Sequence, residues 1–284
     1  MKFHSIDGNR QKLDAGAMFG NAPKALWSRW VEVDDLNRME LACRALLVED
    51  LNGKNVLFET GIGDFFEPKL KQRFGVFQES HVLIDSLNEA GFEPDDIDVV
   101  VLSHLHFDHA GGMLTSWQEG QQPELVFKHA DYLVGAEHWQ RALKPHLRDR
   151  ASFIPVLHEL LKASGRLHLV DAMHHELLGD TVSFTFTDGH TPGLMHAQVG
   201  DLVFATDLIP GAAWVHVPIS MGYDRFPEQL IDEKSDFLQQ IVDNNLRLFF
   251  THDPVFSVVN IKQVKGRYTV DDPKKQLKEE YSTC

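Results

Sequence analysis

Ser103-His104-Leu105-His106-Phe107-Asp108-His109-Ala110-Gly111-Gly112 follows directly on the apolar run Val99-Val100-Val101-Leu102. Four side chains able to bind a metal ion fall within six residues, at the exit of a segment that reads as a buried strand. With 16 His and 42 Asp+Glu in 284 residues, chance places this pattern in fewer than roughly 1% of such chains. The geometry follows from the backbone. In extended chain alternate side chains share a face, so His104 and His106 point the same way. A turn after Phe107 aims Asp108 and His109 at a second point a few ångströms off, and one short loop can then serve two metal ions.

Outward from this run, the chain alternates short apolar stretches with helical ones. Ala45 to Asp50, Asn55 to Thr60, Asp98 to Ser103, Thr181 to Thr187, Leu202 to Thr206 and Leu246 to Thr251 read as strands. Helical spacing marks Val82 to Ala90 before Gly91, Ala136 to Leu143 before Pro145, Ser152 to Ala163 before Gly165, and Pro227 to Val242. Interleaving over the whole length predicts a layered α/β protein with sheet inside and helices outside. No linker-like stretch divides it, so residues 1–284 are expected to form one domain. Residues 1–40 include the less regular segment Ala15 to Glu40 with Phe19, Trp27 and Trp30. They read as an N-terminal lobe that packs its aromatics on the core, with a loop beside the substrate cleft as the other reading. Asp271 to Glu280 reads as a solvated tail.

Composition limits the function. A hydrophobic share of 43%, a charged share of 24% and no apolar run near 18 residues fit a soluble globular protein without a membrane partner. The N-terminus lacks the apolar core of a signal peptide, so the expected location is cytoplasmic. Cys43 and Cys284 are too few and too isolated for a disulfide framework or a cysteine metal site. A net charge of -15 repels polyanions, which argues against nucleic acid and for a small neutral or weakly charged substrate.

Other strand ends supply the remaining ligands, because a central sheet gathers its loops along one edge. His190 follows Thr181 to Thr187 in Gly189-His190-Thr191-Pro192-Gly193, Asp207 ends Leu202 to Thr206, and His252 ends Leu246 to Thr251. The remaining histidines, among them His174, His175 and His196, read as surface or hydrogen-bonded groups, with His196 a candidate neighbour of the ligand shell.

Together HLHFDHAGG, GHTPG, an Asp after an apolar strand and a late His resemble the metallo-β-lactamase superfamily, in the right order over nearly the whole chain. The resemblance implies an αββα sandwich, two central mixed sheets flanked by helices. It implies that His104, His106 and His190 bind one metal ion, Asp108, His109 and His252 the other, and that Asp207 bridges both. His106 in the second position separates the chain from flavodiiron-type oxidoreductases, and Asp207 from the many β-lactamases with Cys there. What remains is the group of glyoxalase II, phosphodiesterase-type nucleases and N-acyl homoserine lactone lactonases, of which HLHFDHAGG and GAMFGNAPKALWSR most resemble the lactonases. Two positions depart. The Tyr that such lactonases carry three residues after the bridging Asp is Pro210 here, leaving its role vacant or to another residue such as Tyr223. The Asp of the early turn is Glu59, read as a turn residue or an acceptor behind a ligand. Met221 to Asp224 reads as a cleft-lining or ordinary loop.

The implied activity is metal-dependent hydrolysis. Two divalent ions, Zn before Mn, Fe or Co, suit imidazole and carboxylate ligands without thiolate. Binding lowers the pKa of water from 15.7 to about 7, so a bridging hydroxide can attack a carbonyl without a Ser or Cys nucleophile. Asp108 doubles as the proton carrier to the leaving alkoxide. The first substrate is a lactone or other carboxylic ester, led by N-acyl homoserine lactone, with a small phosphodiester or phosphotriester as the alternative. A mono-iron sulfur oxygenase on His104, His106 and His190 is a third reading. Beyond the substrate, the partner expected at most is a second copy in a homodimer.

Overall fold

The computed structural model describes residues 1–281; Cys284 lies outside them. Two large sheets form the centre. The seven-stranded sheet runs in the order Lys278–Glu280, Lys2–Ile6, Ala45–Leu51, Lys54–Phe58, Val99–Leu102, Asp131–Gly135 and Leu167–Val170. Its last four strands are parallel and its first four alternate. The six-stranded sheet runs Arg267–Lys274, Val258–Val264, Arg247–Phe249, Leu202–Phe204, Leu194–Val199 and Val182–Thr187, with the central pair parallel.

Strand alternation divides the apolar side chains into three layers, and that division defines the sandwich. Val48, Val56, Val99, Val101 and Leu133 of the first sheet meet Phe184, Met195, Leu202, Phe204 and Phe249 of the second. The residues between them point the other way: Leu47, Leu57, Val100, Leu102 and Val134 pack under Leu83, Leu87, Leu157 and Leu161 of two helices. On the far side, Val203, Leu248 and Val259 pack under Leu230, Leu238 and Ile241 of helix Pro227–Asp243. The result is helix, sheet, sheet, helix. Val99–Leu102 is buried on both faces, which explains its unbroken aliphatic run.

Helix ends obey their local signals. Val82–Ala90 stops at Gly91 in the left-handed region (φ 93°), Pro155–Ser164 opens on Pro155 and stops at Gly165 (φ 68°), and Pro227–Asp243 opens on Pro227. The charged stretch Asp271 to Glu280 is a correction: it is not a solvated tail but the end of strand Arg267–Lys274 and the strand Lys278–Glu280, joined by residues 275–277. Asp271 pairs with Asn260, and Lys278–Glu280 pairs with Lys2–His4. At these edges the backbone carries the pairing while one face stays in water, so charged side chains are compatible with strand. Within the N-terminal lobe, Phe19 lies between Trp27 and Trp214, stacked at 5.6 and 4.7 Å. Trp30 is 41% exposed and Met18 lines the central cavity, so the segment both packs and faces the cleft.

One core residue makes the fold sensitive to acid. His196 is 1% exposed, and burial pushes its pKa down to about 4, although the backbone at Phe204 and Ala205 opposes this. Above the unfolded value of about 6.5 both states are neutral and the full stability is present. As pH falls from 6.5 toward 4, the unfolded chain takes up a proton that the folded chain refuses, so stability is lost by about 3 kcal/mol. Denaturant unfolding of the ion-free protein at pH 7 and 4.5 is expected to show a shallower loss for His196→Gln. Equal pH slopes for the two proteins would refute this.

Candidate metal centre

His104 and His106 leave the end of Val99–Leu102 in extended chain, His106 at φ -66° and ψ 150°, and the one-turn helix Phe107–Ala110 then carries Asp108 and His109. Gly111 and Gly112 let this helix press on the turn after Lys54–Phe58: a Cβ on Gly112 would lie 2.0 Å from the Thr60 carbonyl oxygen, and one on Gly111 2.2 Å from that of Ile62. Opposite, His190 sits in the turn after Val182–Thr187, Asp207 in the turn Thr206–Leu208 after Leu202–Phe204, and His252 beyond Arg247–Phe249. The two sheets thus deliver their ligand loops to one edge. Thr206, just before Asp207, holds a left-handed backbone (φ 49°), a conformation unfavourable for a β-branched residue and maintained by its surroundings.

All seven expected ligands converge. Donor atoms of His104, His106, His190 and Asp207 lie within 4.8 Å of one another, as do those of Asp108, His109 and His252. Asp207 faces both groups with different oxygens. Its Oδ2 is 3.2 Å from His190 Nε2 and 3.9 Å from His104 Nε2; its Oδ1 is 3.3 Å from His109 Nε2 and 3.2 Å from His252 Nε2. His106 turns Nδ1 toward His190 Nε2 at 3.3 Å.

The donor set fits a pair of divalent cations. His252 Nδ1–H donates to the Ala42 carbonyl at 2.7 Å, His190 Nδ1–H to Asp224 at 2.9 Å and His109 Nδ1–H to Glu59 at 3.0 Å, which turns each Nε2 inward. Buried His104 Nε2, His106 Nε2 and Asp207 Oδ1 have no hydrogen-bond partner, an arrangement that suits atoms facing a cation. Electrostatics agree. Burial pushes His104 and His106 well below the ordinary imidazole range. Burial works against charge at His109 and His252 too, but Asp207, joined by Glu59 at His109, raises both well above it. Asp207 is held well below the carboxylate range although burial opposes this, since His109, His252 and His190 surround it. In the ion-free chain protons supply positive charge that cations would otherwise bring.

The groups behind the ligands were only partly visible in the sequence. Glu59, expected as a turn residue or acceptor, is both: at φ 66° it accepts from Ser103 N–H with one oxygen and from His109 with the other. Asp224, read only as part of a loop, is fully buried and accepts from His190 and from Met221 N–H. Gln11 donates to Asp108 at 2.7 Å, and Pro210, in place of the expected Tyr, accepts from His252 N–H at 2.9 Å. Tyr223 is 42% exposed, outside the ligand cluster but on the wall above it. Burial, then Asp108, raises its pKa, so it remains a neutral donor. His174, His175 and His196 lie outside both ligand groups.

A cavity of about 790 Å³ opens over the cluster. His106, Asp108, Asp207 and His252 form part of its floor, and Phe65, Phe74, Trp117 and Phe153 are among the side chains of its largely apolar wall. Among the described residues no helix is long and apolar enough to cross a membrane.

Two mixed sheets between helices, with a His/Asp metal-binding cluster at one edge, define an αββα metalloprotein. The chain belongs to the metallo-β-lactamase superfamily, whose profile matches residues 38–252. Curated relatives are distant: N-acyl homoserine lactonase AiiA of Bacillus thuringiensis subsp. kurstaki is 26% identical over 115 residues, 40% of this chain and 38% of that protein. N-acyl homoserine lactonase AttM of Agrobacterium fabrum is 27% identical over 137 residues, 47% and 44% of the two chains. The chain spans about two fifths of the length of the curated relatives it matches. Among solved structures, a probable metal-dependent hydrolase from Staphylococcus aureus superposes with a TM-score of 0.84 at 26% identity, covering 99% of this chain and 98% of that one. AidC, a dizinc quorum-quenching lactonase with a bound homoserine product, has a TM-score of 0.74 at 22% identity, covering 99% and 95%, and shares the fold.

Proposed function

We propose that this chain is a dinuclear-metal hydrolase that opens a lactone or another carboxylic ester, with N-acyl homoserine lactones as the first substrate class. One observation carries the reading: Asp207 turns a separate carboxylate oxygen to each of two ligand groups, on the floor of an apolar cavity. His104, His106 and His190 would hold one ion, Asp108, His109 and His252 the other, with Asp207 shared. When bound, two zinc ions lower the pKa of water to about 7 and withdraw electrons from a carbonyl oxygen. A mono-iron oxygenase would leave the second group without a role.

The chain's own residues do the rest. The apolar wall takes the acyl chain and excludes water, and the Tyr223 hydroxyl donates to the substrate carbonyl. Asp108, against the cavity and steadied by Gln11, moves the proton to the departing oxygen. Lactonase names among the relatives support the substrate class.

Proton release by zinc-reconstituted protein against homoserine lactones of increasing acyl length tests this, with His106→Ala as control. Turnover should vanish in the control. It should rise by up to roughly 4-fold in kcat/KM per added CH2 while the cavity still has room, from about 0.8 kcal/mol per buried methylene. Tyr223→Phe should lower kcat/KM by about 10-fold, the worth of one hydrogen bond, with zinc content unchanged. No turnover on any lactone, but turnover on a small phosphotriester, would replace the ester reading.

A further inference from the structure

Helix Ala136–Leu143 sends one fully buried side chain, His138, into the seam between the two ligand-bearing loops. Its Nε2 accepts from the Leu105 N–H at 2.8 Å, and its Nδ1–H donates to the Pro192 carbonyl at 3.1 Å. Leu105 stands between His104 and His106; Pro192 stands two residues after His190. These three histidines form one ligand group but arrive from different sheets. Lower in the seam, the backbone bond from Met195 N–H to the Ser103 carbonyl at 3.0 Å joins the strand bases. It leaves the direction of the Leu105 peptide free, and that direction decides where the flanking imidazoles point.

We propose that His138 is a positioning residue for the metal position formed by His104, His106 and His190, setting the spacing and orientation of the two loops as a neutral imidazole clamp. The proposal rests on the reading of those three side chains as ligands. Each ring nitrogen has a partner of the opposite kind, which only the neutral ring can satisfy, and burial keeps it so, with a pKa pushed down to about 3. The clamp is anchored at close quarters. A Cβ on Gly193 would lie 2.6 Å from the His138 backbone nitrogen, and one on Gly135 2.9 Å from the Gly193 carbonyl oxygen, so the His190 turn presses on the start of the helix. The His138 ring also lies 5.8 Å from Phe153, which in turn lies 5.0 Å from His106 and lines the cavity. His138 therefore serves both the ligand group and the wall beside it.

Zinc affinity, measured on ion-free protein by chelator competition, tests the clamp without reference to turnover. His138→Phe fills the space but offers neither donor nor acceptor; His138→Gln offers both; His190→Ala removes a ligand. His138→Phe should weaken one of two zinc equivalents by about 10- to 100-fold, the usual cost of losing a group that orients a ligand. The other equivalent should be unchanged, and His138→Gln should recover most of the loss. Cobalt substitution should show altered visible bands for one ion only. Wild-type affinity for both equivalents in His138→Phe would overturn the proposal, as would equal weakening of both that Gln does not relieve, since that is general loosening. Wild-type affinity in His190→Ala would instead overturn the ligand reading, and the clamp with it.

Discussion

Asp207→Ala is expected to abolish tight zinc binding at both positions and to lower lactone hydrolysis by about 10⁴-fold or more, the scale of losing the whole catalytic device. Its two oxygens contact different groups, Oδ1 with His109 and His252 and Oδ2 with His190 and His104, so no other ligand serves both. Without it, five buried imidazoles would have to hold two dications with Asp108 as the sole carboxylate among the ligands. Asp207→Asn should behave differently. The amide retains one oxygen but turns N–H bonds toward the other group, repelling a cation there, so one zinc equivalent should survive. Proton counting adds an independent check. His109 and His252 are raised above the ordinary imidazole range chiefly by Asp207 working against burial, and zinc must displace their protons. Loading wild-type protein near neutral pH should release more protons than loading Asp207→Asn. Two zinc ions per Asp207→Ala chain after gel filtration, with wild-type turnover, would refute the bridging role.

Much of the site was legible because ligands at strand exits obey a period. His104 and His106 share a face in extended chain, and the helical turn that follows redirects Asp108 and His109. His190, Asp207 and His252 each end an apolar run, so strand recognition located them. The residues that orient these ligands have no such signature. His252 is fixed by the carbonyls of Ala42 and Pro210, backbone groups that any residue carries. Asp224 lies 34 residues beyond His190, in a loop whose folding back could not be read from its composition. Gln11 reaches Asp108 across 97 positions. Such partners depend on tertiary closure alone.

Fold legibility had the same boundary. Strands covered on both faces, such as Val99–Leu102, are runs of aliphatic residues, and helices stopped by Gly91 or Gly165 carry their ends in sequence. Edge strands do not. Arg267–Lys274 and Lys278–Glu280 are charged because one face is in water, and only pairing with Val258–Val264 and Lys2–Ile6 makes them sheet. Leu194–Val199 was hidden because its apolar residues are interrupted by His196 and Gln198. His196 proves to be buried against Phe237, at a ring separation of 5.1 Å, and to share a hydrogen bond with Thr187.

Asp108→Asn is expected to retain both zinc equivalents, one of them weakened, while kcat on lactones falls by about 10²- to 10⁴-fold, the range for losing a general acid or base. Asp108 is the one carboxylate of the cluster not fully enclosed: its side chain is 14% exposed and it lines the cavity. Its oxygens lie 3.9 Å from His109 Nε2 and 3.7 Å from His252 Nε2, longer than the Asp207 contacts to the same atoms, which leaves it the freer of the two carboxylates for the proposed role of proton carrier. An amide keeps an oxygen for the ion but cannot carry that proton. The substrate can be chosen to expose the difference. A departing alkoxide is nearly as basic as hydroxide, whose conjugate acid has a pKa of 15.7, and cannot leave unprotonated. A thiolate, with a thiol pKa of about 8.5, can. On a homoserine lactone and the matching thiolactone, Asp108→Asn should therefore lose far more on the oxygen ester. Equal losses on the two substrates, with zinc retained, would show that Asp108 acts as a ligand without moving the proton. Full turnover on both would remove it from the chemistry.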